Sequence, residues 1–280
     1  MGAIVWLASY PKSGNTWTRN FLHNLLRPTD DTYDINEMNE LTTGANGRRW
    51  YEPFLKKPLQ DATLEEVAAA RPRAQSELAA AAKELVFVKT HSAIVTDFGT
   101  PSISRDVTAG AIYIVRNPLD VAHSYAHHIG KDIDHAIRVM NTDFMRTNNS
   151  EKQVYEPMGS WSQHVLSWTH REHRELHIMR YEDMLARPRE TFGKLCEFLL
   201  VKPTRREFDE ALEKSSFERL REQEEKLGFK ERPKHADHFF REGKSGTWRK
   251  HLSPEQVRAI LEHHREQMAR FGYLPEEAET

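Results

Sequence analysis

The segment YPKSGNTW at residues 10–17 has the residue types of an anion-binding loop. It follows an apolar run at residues 4–9, which predicts a buried strand, and it leads into a helical pattern at residues 15–26. A tight turn between a strand and a helix points unpaired N–H groups outward, and the helix dipole favours negative charge there. Lys12 adds a positive charge, and two hydroxyl side chains add hydrogen-bonding groups. The segment is not a Walker loop, because its lysine precedes its only glycine; the alternative is an ordinary strand-to-helix turn with an exposed lysine.

Two further segments place polar side chains directly after apolar runs. Residues 85–89 predict a second strand that ends at Lys89 and His91, and residues 111–115 predict a third that ends at Arg116. In a parallel sheet these strand ends meet at one edge, where ligands bind. A histidine there suits a general base, and the planar fork of arginine suits a phosphate. The alternatives are a surface histidine on a loop and a salt bridge from the arginine to the aspartate four residues later.

The rest of the sequence alternates helical patterns with short apolar runs. A fourth strand is predicted at residues 176–179. Helices are predicted at residues 63–70, 74–85, 160–174, 192–200, 207–214, 217–227 and 255–271, and one begins at Asn117 and Pro118. Pro72 is expected to separate the first two helices, and the charge-rich residues 222–234 are expected to form a mobile surface loop or lid. The alternation is typical of a single α/β domain over residues 1–280, with a central parallel sheet flanked by helices.

Composition limits the classes of function. The 280 residues include 40 basic and 42 acidic side chains, for a formal net charge of −2, so the basic excess of a nucleic-acid-binding protein is absent. No apolar run approaches the roughly 18 residues that span a bilayer, and we expect no membrane partner. The one cysteine, Cys196, cannot form an internal disulfide, which favours a reducing, cytoplasmic location. It lies in an apolar helical stretch and is expected to be a buried small hydrophobe rather than a nucleophile.

The histidines do not indicate a metal site. Neither the group at positions 170, 173 and 177 nor the pair at 235 and 238 has a ligand spacing with glutamate or cysteine. We therefore interpret the first group as a polar face and predict that no metal is bound. The adjacent His127 and His128 are expected to be solvated, although they follow the predicted third strand closely enough to line a substrate pocket.

Five segments, in order, resemble the cytosolic-type sulfotransferases. YPKSGNTW is similar to their 5′-phosphosulfate loop, and IYIVRNPLDVAHSY at residues 112–125 to their 3′-phosphate segment. FFREGKSGTW at residues 239–248 is similar to the segment that closes over the cofactor, and GSWSQHV and MRYEDM lie between. The resemblance implies a P-loop-like nucleotide-binding fold. It also implies 3′-phosphoadenosine 5′-phosphosulfate (PAPS) as co-substrate, 3′-phosphoadenosine 5′-phosphate (PAP) as product, and no metal.

The resemblance assigns roles to individual residues. His91 matches the catalytic base, Lys89 a supporting lysine, and Lys12 the lysine at the phosphosulfate bridge. The implied cofactor contacts are Lys12, Ser13, Gly14, Asn15 and Thr16 at the 5′ side, Arg116, Ser124, Arg241 and Gly243 at the 3′-phosphate, and Trp17, Tyr181, Ser215 and Phe217 at the adenine.

Some positions depart from the family's pattern. Glu242 and Thr247 stand where lysine and aspartate are usual, which leaves the phosphate role there on Arg241 and the backbone. Residues 250–254 do not match the family's dimer motif, so a monomer and a homodimer both remain open.

The function that the resemblance implies is in-line transfer of a sulfuryl group from PAPS to the hydroxyl of a small-molecule acceptor. The alternatives are a nucleotide-dependent kinase of related fold and a non-catalytic nucleotide-binding protein. The acceptor wall is expected in residues 27–62, in residues 130–157 and in the stretch before Phe239. Candidate apolar lining, by position, is Trp50, Tyr51, Phe54, Phe144 and Tyr155. We therefore expect an acceptor that is uncharged or apolar near its hydroxyl.

Overall fold

Five parallel strands form the main sheet of the computed structural model, which describes residues 2–27 and 34–276. The strands are β1 (Ala3–Ser9), β2 (Thr42–Gly44), β3 (Leu85–Thr90), β4 (Thr96–Asp97), β5 (Thr100–Pro101), β6 (Thr108–Val115) and β7 (Leu176–Arg180). The order in the main sheet is β2-β3-β1-β6-β7, and every neighbouring pair is parallel. β4 and β5 form a separate antiparallel hairpin. The predicted α/β fold with a central parallel sheet is confirmed.

Helices cover both faces of this sheet. They are α1 (Asn15–Leu26), α2 (Arg48–Tyr51), α3 (Leu64–Ala80), α4 (Pro118–Ile129), α5 (Ile133–Asn141), α6 (Trp161–Thr169), α7 (Tyr181–Ala186), α8 (Pro188–Phe198), α9 (Arg205–Lys214), α10 (Phe217–Leu227), α11 (Trp248–His251) and α12 (Pro254–Arg270). Short 3₁₀ segments occupy Ile35–Glu40, Glu52–Phe54, Leu59–Asp61 and Arg105–Val107. Helices α1, α8 and α9 pack on one face, whereas α4, α5, α6 and α12 pack on the other.

The central strand β1 shows how the sequence sets these two layers. Ile4 and Trp6 belong to the hydrophobic cluster on the α4 side, and Val5 and Leu7 belong to the cluster on the α1 side. Successive side chains of a strand point to opposite faces. Because both sets are buried, β1 reads as a continuous apolar run instead of an alternating one.

The prediction that Pro72 separates two helices is wrong. Helix α3 is continuous from Leu64 to Ala80, with Pro72 inside it. Proline in a helix interior costs about 3 kcal/mol. A capping box between Thr63 and Glu66 and a buried face of eight residues offset this cost. The predicted continuation of the helix to residue 85 is also wrong, because residues 81–84 lead directly into β3.

The charge-rich residues 222–234 are not one loop, as predicted. Residues 222–227 complete α10, where Arg221 pairs with Glu225 and Lys226 with Glu222 one turn apart. The helix ends at Gly228, which has φ 72°. Residues 228–247 contain no helix or strand, and we refer to them as the closing segment. Helix α6 is likewise shorter than predicted, ending at Thr169 instead of continuing to residue 174.

Cys196 is buried in α8, as predicted, and burial raises the pKa of its thiol to about 11. A protonated thiol is a poor nucleophile. No helix within the described residues is both long enough and apolar enough to cross a membrane.

Candidate active site

The loop between β1 and α1 has an unusual backbone. Lys12 has φ 66° and Gly14 has φ 105°, so both residues are left-handed. At Gly14 an added Cβ would lie 2.8 Å from the Tyr181 ring, so glycine is required for space as well as for φ. The Asn15 side chain ties the loop to the strand, because its Nδ2 donates to the Leu7 carbonyl at 2.9 Å. These contacts hold the loop at the N-terminus of α1, where an anion is favoured.

The carboxyl ends of β1, β3 and β6 open into one cavity of about 840 Å³. Leu7 lies beside Lys89 in the sheet, which brings His91 next to the loop that follows β1. Arg116 follows β6 on the other side of β1. Thirteen of the fifteen predicted site residues line this cavity: Lys12, Gly14, Asn15, Thr16, Trp17, Lys89, His91, Arg116, Ser124, Tyr181, Phe217, Arg241 and Gly243.

The other two predicted site residues, Ser13 and Ser215, are buried outside the cavity lining. The Ser13 hydroxyl has no hydrogen-bonding partner within the described residues. The Ser215 hydroxyl donates to the Ala211 carbonyl at 2.8 Å, so it completes the last turn of its own helix. The predicted contact of Ser215 with an adenine stays a prediction.

Arg116 is positioned by the backbone around it. Its Nη1 donates to the Lys12 carbonyl at 2.8 Å, and its guanidinium lies 4.2 Å from the centroid of the Tyr181 ring. The alternative salt bridge to Asp120 is not formed. The Asp120 carboxylate instead accepts hydrogen bonds from the backbone N–H groups of Gly246 and Trp248, at 2.7 and 2.9 Å. Asp120 therefore anchors the end of the closing segment and leaves Arg116 available to the cavity.

Three buried donors in or beside this end of the cavity lack a hydrogen-bonding partner within the described residues. They are the Ser13 hydroxyl, the Trp17 indole Nε1 and the Arg116 Nε. A buried donor without a partner costs roughly 1–3 kcal/mol, and proteins keep such groups mainly where a ligand or water completes them. The arrangement therefore fits a ligand that offers several hydrogen-bond acceptors.

Lys12 is held at the centre of a positive region. Burial, followed by the charges of Arg116, Lys89 and Arg241, lowers the pKa of Lys12 to about 7. Its Nζ lies 3.9 Å from the centroid of the Phe239 ring, in the closing segment. An anion in the cavity would favour the charged form of this lysine.

His91 has a defined tautomer. Its Nδ1 lies 2.7 Å from the Ser9 carbonyl oxygen, which can only accept, so Nδ1 carries the hydrogen. Its backbone N–H donates to Glu156 Oε1 at 2.7 Å. Burial, followed by the charge of Lys89, holds the pKa of His91 well below its usual value, so the ring is neutral. The Nε2 lone pair has no partner within the described residues and can accept a proton from a hydroxyl in the cavity.

An ion pair beside Lys89, between buried Arg19 and partly exposed Glu231, was not predicted from the sequence. Arg19 lies one turn after Asn15 on α1, and its side chain is 1% exposed. It donates to both carboxylate oxygens of Glu231, at 2.9 and 3.1 Å, and Lys89 Nζ lies 3.9 Å from the same carboxylate. Burial raises the pKa of Glu231, but the charges of Lys89 and Arg19 outweigh it and lower the pKa. This contact attaches the closing segment to α1, and only the spacing of Arg19 from the loop hinted at it.

The far end of the closing segment packs tightly on α10. At Gly243, which has φ 59°, an added Cβ would lie 2.4 Å from the Phe217 ring. No other residue fits there without displacing an aromatic ring of the cavity wall. Arg241 is oriented by His123, because its Nη2 donates to His123 Nε2 at 3.2 Å.

Glu242, which replaces the family's usual lysine, faces two histidines. Its Oε1 lies 3.2 Å from His251 Nε2 and 3.8 Å from His123 Nε2. The two imidazole rings stack at 3.7 Å with an angle of 7°. Within the described residues these three side chains are the only group close enough to hold a metal ion. The lone pair of His123 Nε2 already accepts a hydrogen bond from Arg241 at 3.2 Å, and burial, followed by the charge of His251, lowers the pKa of His123 to about 4.

The residues predicted to line an acceptor pocket lie elsewhere. Tyr51 and Tyr155 are buried in a separate hydrophobic cluster against α3, together with Trp50 and Phe54, and Phe144 is 70% exposed. The predicted loop ranges do reach the cavity, but through other residues. These are Asn39, Gly44, Asn46, Thr147, Gln153 and Glu156. Residues 28–33 of the first range lie outside the described residues.

The wall beside His91 is polar. The carboxylate of Glu156 accepts hydrogen bonds from the His91 N–H, from the Thr90 hydroxyl at 3.2 Å and from Asn46 Nδ2 at 2.9 Å. The Thr147 hydroxyl accepts a hydrogen bond from the backbone N–H of Glu156 at 2.8 Å. Burial raises the pKa of Glu156. This part of the cavity wall is therefore polar, and the expectation of an acceptor that is uncharged or apolar near its hydroxyl stays a prediction.

The remaining histidines behave largely as the sequence indicates. His170 and His173 are exposed, and His177 stacks on Phe198 at 5.3 Å, so they do not form a metal-binding group. His127 and His128, which were expected to be solvated, are partly buried at the end of α4 and line the cavity, as the alternative had allowed.

Curated relatives of this chain are sulfotransferases. Sulfotransferase 2A6 of Rattus norvegicus is 32% identical over 174 residues, which cover 60% of this chain and 60% of that protein. Flavonol 3-sulfotransferase of Flaveria bidentis is 26% identical over 272 residues, or 91% of this chain and 78% of that protein. Sulfotransferase 1E1 of Mus musculus is 26% identical over 94% of this chain and 82% of that protein.

Solved structures share the fold. Retinol dehydratase in a complex with retinol and PAP matches with a TM-score of 0.65 at 21% identity, over 95% of this chain and 81% of that one. The mouse sulfotransferase SULT7A1 complexed with PAP matches with a TM-score of 0.61 at 20% identity, over 95% of this chain and 84% of that one. The family model described as the sulfotransferase domain matches residues 4–272, and the chain therefore belongs to the sulfotransferase domain family.

Proposed function

We propose that this protein transfers a sulfuryl group from PAPS to the hydroxyl of a small-molecule acceptor, with His91 as the general base. The observation that carries the proposal is the His91 tautomer. Its Nδ1–H is committed to the Ser9 carbonyl, and its Nε2 lone pair is left to the cavity that also holds Lys12 and Arg116. A proton acceptor and an anion site thus share one chamber, as a group transfer from an anionic donor requires.

The residues present fit PAPS. The unpartnered donors of Ser13, Trp17 and Arg116 would be completed by phosphate or sulfate oxygens or by the nucleoside. Lys12, Arg116 and Arg241 bring positive charge to the same cavity. Retinol dehydratase and SULT7A1, which share the fold, were each solved with PAP. We assign Ser13, Gly14, Asn15 and Thr16 to the 5′ end, and Ser124, Arg116, Arg241 and Gly243 to the 3′-phosphate.

When bound, PAPS supplies a sulfuryl group on a good leaving group. The protein's contribution is position and charge, as in phosphoryl transfer. His91 Nε2 takes the proton of the acceptor hydroxyl as its oxygen bonds to sulfur. Lys12 meets the charge that develops on the departing phosphate oxygen, and Lys89, paired with Glu231, keeps the surroundings of His91 positive. Because these side chains supply the charge, we propose that no metal is needed.

The relatives give a first indication of the acceptor. Their names refer to a flavonol and, for two guinea-pig relatives, to hydroxysteroids. We propose a small molecule with a hydroxyl group for this chain as well. The partly polar wall around His91 favours an acceptor that also carries further polar groups.

Thermal unfolding with PAP, ADP or AMP tests the donor assignment. A ligand at about 100 times its Kd stabilises the folded protein by about 2.7 kcal/mol, which raises the Tm by several degrees for a chain of this size. We expect PAP alone to give this shift, and we expect radiolabelled sulfate from PAPS to appear on a phenol or alcohol. An equal shift with ADP would favour the kinase alternative, and PAP binding without transfer to any acceptor would favour a non-catalytic protein.

A further inference from the structure

We infer that Tyr273 is a positioning residue for Arg116, and that it acts through the carboxylate of Glu182. The hydroxyl of Tyr273 and the carboxylate of Glu182 form a bridge that contacts the backbone on both sides of Arg116. Neither residue lines the cavity. The inference rests on the proposed function, because Arg116 is assigned there to the 3′-phosphate of the donor.

Arg116 depends on its backbone for a precise orientation. It directly follows Val115, the last residue of β6, which pairs with Arg180 of β7. Its Nη1 donates to the Lys12 carbonyl at 2.8 Å and its Nη2 to the Lys244 carbonyl at 3.2 Å. Its Nε is buried without a hydrogen-bonding partner within the described residues. A guanidinium binds a phosphate through two parallel hydrogen bonds, so a shift of the strand end would weaken both.

The carboxylate of Glu182 joins Tyr273 to the turn that carries Arg116. Glu182 Oε1 accepts a hydrogen bond from the backbone N–H of Asn117 at 3.0 Å. Glu182 Oε2 accepts one from the Tyr273 hydroxyl at 2.7 Å. The same hydroxyl lies 3.4 Å from the carbonyl oxygen of Val115. The residues immediately before and after Arg116 are therefore both in contact with the bridge.

Tyr273 is itself held firmly in place. It is 4% exposed, and its backbone N–H donates to the Met268 carbonyl at 2.8 Å, where Gly272 with φ 67° turns the chain after α12. The guanidinium of Arg180 lies 4.9 Å from the centroid of its ring. Burial, followed by the charge of Glu182, raises the pKa of Tyr273 well above its usual value. The hydroxyl therefore keeps its proton and donates it.

Loss of this one hydroxyl should affect one end of the nucleotide more than the other. Tyr273→Phe keeps the buried ring but removes the donor that fixes Glu182, so the carboxylate is less constrained at the Asn117 N–H. The strand end that carries Arg116 then gains freedom. The 5′ end is assigned to residues 13–16, which the loop after β1 holds independently through Asn15. The preference for a nucleotide with a 3′-phosphate over one without it is therefore the quantity that should change.

The Kd values of PAP and AMP measure this preference on the full chain. Calorimetry gives the Kd of PAP directly and that of AMP by displacement of PAP. Tyr273→Phe should raise the Kd of PAP about three- to tenfold, the value of one hydrogen bond, and change that of AMP by less than about twofold. The matched control is Tyr155→Phe, because the Tyr155 hydroxyl also donates to a buried carboxylate, that of Asp97, in the separate cluster against α3. The control should lower the Tm as Tyr273→Phe does, but leave both Kd values unchanged.

A double-mutant cycle separates the positioning of Arg116 from a general effect on the fold. Arg116→Ala alone should raise the Kd of PAP at least about tenfold, because hydrogen bonds to a charged group are lost. In that background Tyr273→Phe should have no further effect on PAP, since the side chain that it positions is absent. Glu182→Gln should retain PAP affinity within about threefold, because its amide can still accept from Asn117 and donate to Tyr273. Glu182→Ala should lose more affinity than Tyr273→Phe.

Three results would overturn the inference. They are an unchanged preference for PAP over AMP in Tyr273→Phe, an equal loss of affinity for both nucleotides, and a loss that persists undiminished in the Arg116→Ala background. Failure of the proposed function is visible separately. PAP binding that depends on Tyr273 and Arg116, without sulfate transfer to any acceptor, would support the inference and contradict only the transfer. A wild-type protein that binds PAP no more tightly than AMP would contradict both.

Discussion

The two sides of the cavity are built in different ways. On the side of Arg116, the side chains follow directly from strand ends and the first turns of helices. Backbone groups also orient them, as the Lys12 carbonyl does for Arg116. On the side beyond His91, loops around Asn46 and Glu156 and the closing segment are joined by side-chain contacts such as the Arg19–Glu231 pair. Each residue of the first side is therefore placed by the strand that precedes it, whereas the second side depends on contacts between side chains of separate loops. We expect mutations on the first side to change donor binding, and mutations of the Arg19–Glu231 pair on the second side to change stability.

The largest effect should come from His91, which lies where the two sides meet. His91→Ala removes the proton acceptor and should lower the rate of transfer by about 10²–10⁴-fold. Stabilisation by PAP should remain, because no donor contact is assigned to this ring. The two measurements are a transfer assay and a thermal shift, with His170→Ala as the control. A transfer rate within about threefold of the wild type would mean that another residue is the base.

Substitution of Lys12 should change both the rate of transfer and the number of protons taken up when PAP binds. Lys12→Met should lower transfer by about 10²–10³-fold, because it removes charge stabilisation of the leaving oxygen. In the free protein the pKa of Lys12 is about 7, so at pH 8 the amine is largely neutral, and at pH 6 it is largely charged. A bound anion raises this pKa, so PAP binding should take up close to one proton at pH 8 and little at pH 6.

Calorimetry in buffers of different ionisation enthalpy measures this proton uptake. Lys12→Met is the matched control and should take up none through this site. Equal enthalpies in all buffers at pH 8 for the wild-type protein would contradict the assignment of a low pKa to Lys12.

The ion pair of the closing segment should matter for stability. Glu231→Gln removes the charge partner of the buried Arg19 guanidinium, which keeps its hydrogen bonds to Thr42 and Asn39, so the cost should be about 1.5–3 kcal/mol. Glu225→Gln removes a surface pair with Arg221 and should cost at most about 0.5 kcal/mol. Urea unfolding of both variants measures the difference. Similar values would show that the closing segment is not attached through Arg19.

The smallest expected effect is on PAP affinity, and it distinguishes Ser124 from Ser215. Both serines were predicted from the sequence to contact the cofactor. Ser124 lines the cavity, so Ser124→Ala should weaken PAP binding about two- to tenfold, the value of one hydrogen bond. Ser215 donates to its own helix, so Ser215→Ala should leave PAP affinity unchanged. The Kd of PAP for each variant, measured by calorimetry, distinguishes a cavity contact from a structural role. A weaker Kd for Ser215→Ala would restore the adenine contact that the resemblance implies.

The difference between the two sides also explains which predictions were correct. Each strand end is specified within about ten residues, by an apolar run followed by Lys12, His91 or Arg116, so the sequence predicted their common edge. The partners of the outer side are distant in sequence. Arg19 and Glu231 are 212 residues apart, and no periodicity links them.

The same limit applies to the aromatic residues. Tyr51 and Tyr155 are aromatic residues of the kind that often line pockets. Packing against α3 instead places them in a separate hydrophobic cluster, away from the cavity. The predicted helix break at Pro72 was wrong, because burial of one face of α3 outweighed the unfavourable helix propensity of proline.

The two buried faces of β1 have an evolutionary consequence. Inserting or deleting one residue between positions 3 and 9 would exchange Ile4 and Trp6 with Val5 and Leu7 between the two hydrophobic layers. It would also shift the loop that carries Lys12 by one step. The closing segment is not paired with any strand, so only its individual contacts, such as Glu231 with Arg19 and Gly243 with Phe217, fix its position. Homologous chains should therefore differ in length more readily between the fixed contacts of residues 228–247 than in the first strand, where the donor loop must stay in register.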